Sequence, residues 1–333
     1  MNRSKPLLLS LILTGAGLAL FNSIISAAEP VPFKDKAPIN SFINEMVTTH
    51  KFDKIELTTL FDKARLHQNI IDAISRPAEG KPWHQYRNIF ITRERVRGGV
   101  LFWKENEAII KKVAESYQVS PEILVAIIGV ETRYGRHKGK YPILDSLSTL
   151  AFAYPPRAKF FRSELKHYLL MAQEEQFDPL SRKGSYAGAM GMPQFISSSF
   201  RSYAVDFDED GHRDLWENPA DVLGSVGNYF KRHGWTAGQP VAHKVKVSGI
   251  KYKQLVTKSL KPKHTQDQLM LAGVILPGDI PGNIKGSLMA FDTGDGPEHW
   301  VIWNNFYVIS RYNHSALYSL AVFQLSQEIL KSR

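Results

Sequence analysis

Glu131 closes eight nearly continuous apolar residues, 123–130, within the stretch "SPEILVAIIGVETRYG". A buried carboxylate is expensive to keep charged, so a carboxyl in this setting is either held protonated or paired. Ile127 and Ile128 precede it at offsets of four and three, with Leu124 one turn further back. On a helix those offsets share a face, which places Glu131 on an apolar stripe. Desolvation raises its pKa, and the negative end of the helix dipole acts in the same direction. A glutamic acid that keeps its proton near neutral pH is what a glycosidic oxygen needs as general acid. The competing reading is a structural ion pair with Arg133 or Arg136. One carboxylate alone does not make a site.

A second cluster has metal chemistry. "DFDEDGHRDLWE", residues 206–217, matches the twelve-residue calcium-loop pattern at its side-chain positions. Asp206, Asp208 and Asp210 take positions 1, 3 and 5, Gly211 makes the sharp turn and His212 offers its backbone carbonyl. Asp214 stands at position 9 and Glu217 at position 12. Alternating carboxylates around a forced turn suit a hard, oxygen-seeking cation; the alternative is a solvated acidic turn. Asp292 and Asp295 in "FDTGDGPEHW" read as a polar turn rather than a second cation site.

Two further segments, "YPPRAKFF" (154–161) and "GSYAGAMGMPQF" (184–195), mix aromatic, polar and glycine residues unlike an ordinary core. Gly188 and Gly191 would let a ligand approach the backbone closely, or simply make a tight turn. Ser185 and Gln194 offer hydrogen bonds, and Tyr154, Tyr186 and Phe195 offer flat faces for sugar rings. No zinc spacing, phosphate loop or Ser-His-Asp order stands out.

The elements that must position these groups follow from patterning. Arg3 and Lys5, an apolar run over 7–25 and Ser26-Ala27-Ala28 read as a secretory signal, residues 1–28, cleaved after Ala28; an uncleaved membrane anchor is the alternative. The 333-residue chain has no cysteine, which excludes disulfides, thiolate metal sites and a lipid on an N-terminal Cys. Its net charge of +10 falls to +8 without Arg3 and Lys5. A basic exported protein suits an anionic polymer or surface, and export argues against nucleic acid. The Lys-rich stretch 244–263 is a solvated face that would attract such polymers. Short amphipathic helices are expected over 39–73, a loop over 75–82 and one helical pattern over 92–117. Ser120 is the expected N-cap and Pro121 the first position of the next helix, with Gly135 just past its end. Helical patterns continue over 143–153, 157–176 and 219–233. From Val241, "VAHKVKVSGIKYKQLV", "GVILPGDIPGNIKGSLMAF" and "EHWVIWNNFYVI" give β-like runs, and residues 315–330 return to helix. The fold class is therefore α+β and predominantly α, with a small β unit inserted late.

"VAIIGVETRYG", "SLSTLAFAYPPRAKFF", "YLLMAQEEQFDPL", "GSYAGAMGMPQFISSSF" and "YAVDFDEDGHRDLW", in this order and spacing, resemble the membrane-bound lytic murein transglycosylase B family over most of residues 80–331. The resemblance implies a lysozyme-like core with an EF-hand-like calcium loop, peptidoglycan as substrate and Glu131 as the one catalytic carboxylate. Ser185, Gln194 and Phe195 match positions lining the family's cleft, as do Tyr86, Arg157, Tyr229, Tyr312, Asn313 and Tyr318. The sequence departs from the family at Pro156, often a second Arg, and at Phe160, often a Tyr. The family's metal loop closes later than a standard EF-hand, at the position of Asp221, so Asp221 and Glu217 compete for that role and Asp221 is favoured.

The implied chemistry is cleavage without water at the bond between N-acetylmuramic acid and N-acetylglucosamine, giving 1,6-anhydromuramyl ends. A hydrolytic muramidase and a non-catalytic wall-binding protein are the rivals. Two-carboxylate glycosidases need a second Asp or Glu, and Glu164, Glu174 and Glu175 carry no comparable burial signal. The expected organisation is a signal peptide (1–28), an N-terminal helical region (29–115), the lysozyme-like core (116–240) with its calcium loop (206–221), the β unit (241–310) and a closing helix (311–333). The expected protein is periplasmic, not a lipoprotein, and monomeric. It would need structural Ca²⁺ and no organic cofactor, and would act on glycan strands within cell-wall synthesis or division complexes.

Overall fold

Pro121 sits in the first turn of the helix Pro121–Thr132, preceded by Ser120 at the N-cap position, whose side chain makes no capping bond. Residues 123–130 are all buried, as expected for a helix apolar nearly all round. The helix stops before Gly135. Arg133 and Tyr134 already turn left-handed, with φ of 51° and 61°. Their N–H groups donate back to the carbonyls of Gly129 and Ile128. Left-handed backbone is unfavourable for side chains with a Cβ, and the setting of Tyr134 opposes that penalty. Its hydroxyl donates to the Arg95 carbonyl at 2.8 Å and its ring stacks on Phe102 at 5.6 Å. The ring fills a space that Gly129 leaves open, since a Cβ there would lie 2.5 Å from the Tyr134 hydroxyl oxygen.

The computed structural model describes residues 29–76, 81–278 and 280–333, so the signal read at 1–28 and part of the 75–82 loop lie outside the described residues. The chain forms two units, each assembled from separated segments. One contains residues 81–134 and 226–333. In it, the pattern over 92–117 resolves into two helices, Arg93–Glu105 and Glu107–Tyr117, because Asn106 leaves helical backbone geometry. The closing helix Ala316–Ser332, capped by Ser315 accepting from the Tyr318 N–H, packs along Pro121–Thr132 and Arg93–Glu105. The β unit is an antiparallel sheet in the order Val274–Ile275, Ala242–Val247, Pro297–Ile302, Ser287–Asp292. Val245, Leu269, Leu288, Val301 and Trp303 form its core. The run "EHWVIWNNFYVI" is strand only in its first half. Beyond Trp303 the buried pairs Asn305/Val308 and Phe306/Ile309 are three residues apart, a helical offset, and Asn304–Tyr312 is a helix.

The second unit contains residues 29–76 and 135–225. Its helices include Ala37–His50, Lys54–Lys63, Ile143–Ala153 and Ala158–Glu174. Phe42, Phe61 and Phe152 pack edge to face with centroids 5.8–6.2 Å apart. Asp145 fastens the early segment by accepting from the Arg65 N–H at 2.9 Å and pairing with His67 at 3.0 Å. Among the described residues no single helix is long and apolar enough to cross a membrane.

Candidate active site

In the first unit, packing of the closing helix on Pro121–Thr132 sets Tyr318 against Glu131, and the tyrosine hydroxyl donates to Glu131 Oε1 at 2.5 Å. Glu131 therefore bonds a neutral hydroxyl rather than Arg133 or Arg136. Burial lifts its pKa to about 8, and the Tyr318 hydrogen bond opposes part of that rise. Tyr86 and Tyr312 complete a phenol-lined surround. Burial first, then the Glu131 charge, pushes Tyr86, Tyr312 and Tyr318 above the usual phenol range. The charge of Glu131 thus acts on three phenols, from Tyr86, Tyr312 and Tyr318.

Tyr229, from the helix Pro219–Arg232, props up this wall. Its hydroxyl donates to the Arg311 carbonyl at 2.6 Å, and its ring meets Tyr312 at 4.9 Å and stacks on His233 at 4.0 Å. Asn313 is buried in the link between the last two helices, and its side-chain oxygen has no hydrogen-bond partner among the described residues. A buried acceptor left unpaired is an opening for a ligand donor. The structure thus gathers Glu131, Tyr86, Tyr229, Tyr312, Asn313 and Tyr318 in one unit.

Arg157, Ser185, Gln194 and Phe195 belong to the other unit. Arg157 lies over the Phe160 ring at 4.5 Å, so the phenylalanine that departs from the family pattern supports the arginine through cation–π contact. The Ser185 hydroxyl oxygen accepts from the Ala189 N–H at 3.0 Å. Gln194 holds a left-handed backbone, φ 53°, and donates to the Gly191 carbonyl at 2.9 Å and the Lys138 carbonyl at 3.3 Å. Phe195 is only 2% exposed, so its ring is core and not an open face for a sugar. The expectation that Gly188 and Gly191 leave room for a ligand is also corrected. Both have positive φ, and an added Cβ would meet Leu147 at 2.4 Å and the Leu215 carbonyl oxygen at 2.3 Å; they are there for turns and internal packing.

Glu164 is a further correction, being 4% exposed although its stretch of sequence carries no burial signal comparable to that of Glu131. It lies on a stripe with Phe161, Leu165 and Tyr168. Its two oxygens accept from the Ser198 N–H at 2.9 Å and the Ser198 hydroxyl at 2.8 Å. Glu164 therefore ties down the start of the helix Ser197–Tyr203. The polar residues around it in sequence conceal that burial.

The acidic loop converges. One oxygen from each of Asp206, Asp208, Asp210 and Asp221 lies within 4.8 Å of the others. Asp221 is fully buried and accepts from the N–H groups of Phe207 and Asp214, both at 2.8 Å. Burial first, and further the charges of Asp206 and Asp208, raise its pKa to about 6 against those two hydrogen bonds. Glu217 instead pairs with Lys138 at 2.5 Å, and Asp214 accepts from the N–H groups of Trp216 and Glu217. His212 contributes its N–H to Asp210 at 2.9 Å. Four carboxylates gathered this closely fit an oxygen-seeking dication, which would relieve their repulsion.

Residues 34–327 match the transglycosylase SLT domain. The chain is 42% identical over 311 residues to membrane-bound lytic murein transglycosylase B of Escherichia coli K12, covering 90% of this chain and 85% of that protein. The soluble lytic transglycosylase SltB1 of Pseudomonas aeruginosa superimposes with a TM-score of 0.85 at 47% identity, covering 89% of this chain and 99% of that one. The Escherichia coli lytic transglycosylase Slt35, solved in complex with calcium, gives a TM-score of 0.84 at 40% identity, covering 95% and 99%. With a glutamate-centred phenol site carried on this fold, and with sequence identity of this extent, the chain belongs to the lytic murein transglycosylase B family of SLT-domain proteins.

Proposed function

We propose that the protein cleaves the bond between N-acetylmuramic acid and N-acetylglucosamine in peptidoglycan without water. The observation that carries this reading is Glu131, a carboxyl lifted to about 8 whose hydrogen-bond partner among the described residues is the Tyr318 phenol. Protonated at neutral pH, Glu131 gives its proton to the glycosidic oxygen, and that C–O bond breaks. The resulting carboxylate is held by the Tyr318 hydroxyl. It then takes the proton of the muramyl C6 hydroxyl as that oxygen bonds to C1, and the 1,6-anhydro ring closes. Glu131 ends the cycle protonated, as it began. The resemblance assigns Tyr86, Tyr229, Tyr312 and Asn313 to glycan binding, and likewise Arg157, Ser185 and Gln194; Phe195, which it also assigns there, would serve as core packing rather than as a face for a sugar. The unpaired Asn313 oxygen supports its part in that role.

Asp206, Asp208, Asp210 and Asp221 are the side chains that would hold calcium, with the His212 carbonyl. The engagement of Glu217 with Lys138 favours Asp221 as the closing ligand. The ion would neutralise the loop and brace the fold. Action on murein places the protein outside the cytoplasmic membrane.

Incubating isolated peptidoglycan with wild type and Glu131→Gln tests the reading. Soluble fragments are expected from the wild type and at a rate lower by about 10²–10⁴ from the variant. Equal release by a folded variant would remove Glu131 from the chemistry.

A further inference from the structure

Helix Trp83–Phe90, which presents Tyr86 toward Glu131, has a second working face. Trp83, His84 and Arg87 line a separate, half-open cleft of about 630 Å³, lined also by Lys244, Glu298 and Trp300 from the sheet and by Gln324 from the closing helix. That volume lies within the range of ligand pockets, about 300–1,000 Å³.

The floor is built around one acid. Glu298 accepts from the Trp300 indole N–H at 2.9 Å, takes a second hydrogen bond from Trp83, and pairs with Lys244 at 2.6 Å. These bonds consume both indole donors, and the two rings are only 2% and 8% exposed. The tryptophans therefore shape the cavity but offer no open face for a sugar ring.

The accessible chemistry is cationic and amide-like. Glu298 neutralises Lys244, and Glu328 pairs with Lys331 at 3.1 Å. Among the described residues the partner of the Arg87 guanidinium is neutral: its Nε donates to the Gln324 side-chain oxygen at 2.8 Å. That bond fixes the guanidinium plane while its terminal nitrogens remain for a planar anion, the geometry in which arginine takes a carboxylate with two parallel bonds. On the same wall, His84 Nδ1 is buried without a hydrogen-bond partner among the described residues.

We propose that this cavity is a second binding site, for the carboxylate-bearing peptide stem of peptidoglycan, with Arg87 as its anion-binding residue and Gln324 as the group that positions it. The site rests on the peptidoglycan reading for its ligand, but it shares no side chain with the Glu131 cluster. It would hold the strand by its peptide while the glycan bond is cut elsewhere on the same unit.

The test is calorimetric titration of full-length Glu131→Gln protein with a synthetic stem peptide carrying free carboxylates, and with the same peptide as its carboxamide. Saturable binding is expected for the first and at least about tenfold weaker binding for the second. Arg87→Lys, which keeps the charge but loses the fork, and Gln324→Ala are each expected to weaken binding by about tenfold or more at an unchanged melting temperature. Equal affinity for acid and amide, an affinity indifferent to both substitutions, or no saturable binding by the folded protein would each overturn the site. No glycosidic bond is present in the probe. Loss of cleavage by wild type with peptide binding intact would therefore sink the proposed function and leave the cavity assignment standing.

Discussion

Glu131 has its proton because burial opposes the charge, and that has two consequences with opposite signs. Activity needs the protonated acid, so the rate should fall as pH rises through about 8. Stability is also affected. Between the ordinary carboxyl pKa of about 4.3 and the folded value of about 8, the folded state binds the proton that the unfolded state has lost. Wild type is thus progressively destabilised over that window, and Glu131→Gln is expected to melt higher than wild type at pH 8 but not at pH 4. An identical difference at both pH values would contradict the raised pKa. Tyr318 acts on the same equilibrium by donating to the carboxylate. Tyr318→Phe should move the alkaline limb of the pH–rate profile upward and lower the rate by about tenfold or more, the loss expected for a hydrogen bond to a charged group. A limb that stays in place would mean that the hydroxyl does not hold the carboxylate.

At the scale of elements, the helix carrying Glu131 is fixed by how it ends. The left-handed turn at Arg133 and Tyr134 survives because Tyr134 is seated against Gly129 and bonded to the Arg95 carbonyl. Gly129→Ala would place a methyl 2.5 Å from the phenol oxygen. Overpacking of this kind costs about 1–3 kcal/mol, and a lowered melting temperature together with a reduced turnover is expected. An unchanged melting curve would show that the helix end relaxes freely. The acidic loop is a second such device. Chelation should lower the melting temperature of the wild type, and Asp210→Ala should remove that response; a curve indifferent to both calcium and chelator would exclude a bound ion. Glu164 gives a contrasting case, because it anchors a helix start rather than a reaction. Glu164→Gln should reduce stability by about 0.5–2 kcal/mol while the mass of the cleavage products stays the same.

At the scale of the whole molecule, the parts legible in the sequence are those whose partners lie close by along the chain. The apolar run before Glu131, the alternating aspartates at 206–210 and the late β unit announce themselves through local spacing. Tyr318 does not, because it stands 187 residues from the carboxyl it bonds, and only a resemblance could link them. Burial of Glu164 was hidden in the same way, since its stripe of Phe161, Leu165 and Tyr168 is diluted by charged neighbours on the other face. The interleaving of 81–134 with 226–333 likewise leaves no trace in local periodicity. It is this interleaving that brings a helix from the end of the chain onto the Glu131 helix and sets the Tyr318 phenol against its carboxyl. The measurement that tests cleavage without water most directly is mass spectrometry of muropeptides released from purified peptidoglycan. Fragments one water lighter than hydrolysis products, produced by wild type and absent with Glu131→Gln, are the expected result. Fully hydrated reducing ends would contradict it and make the enzyme a muramidase.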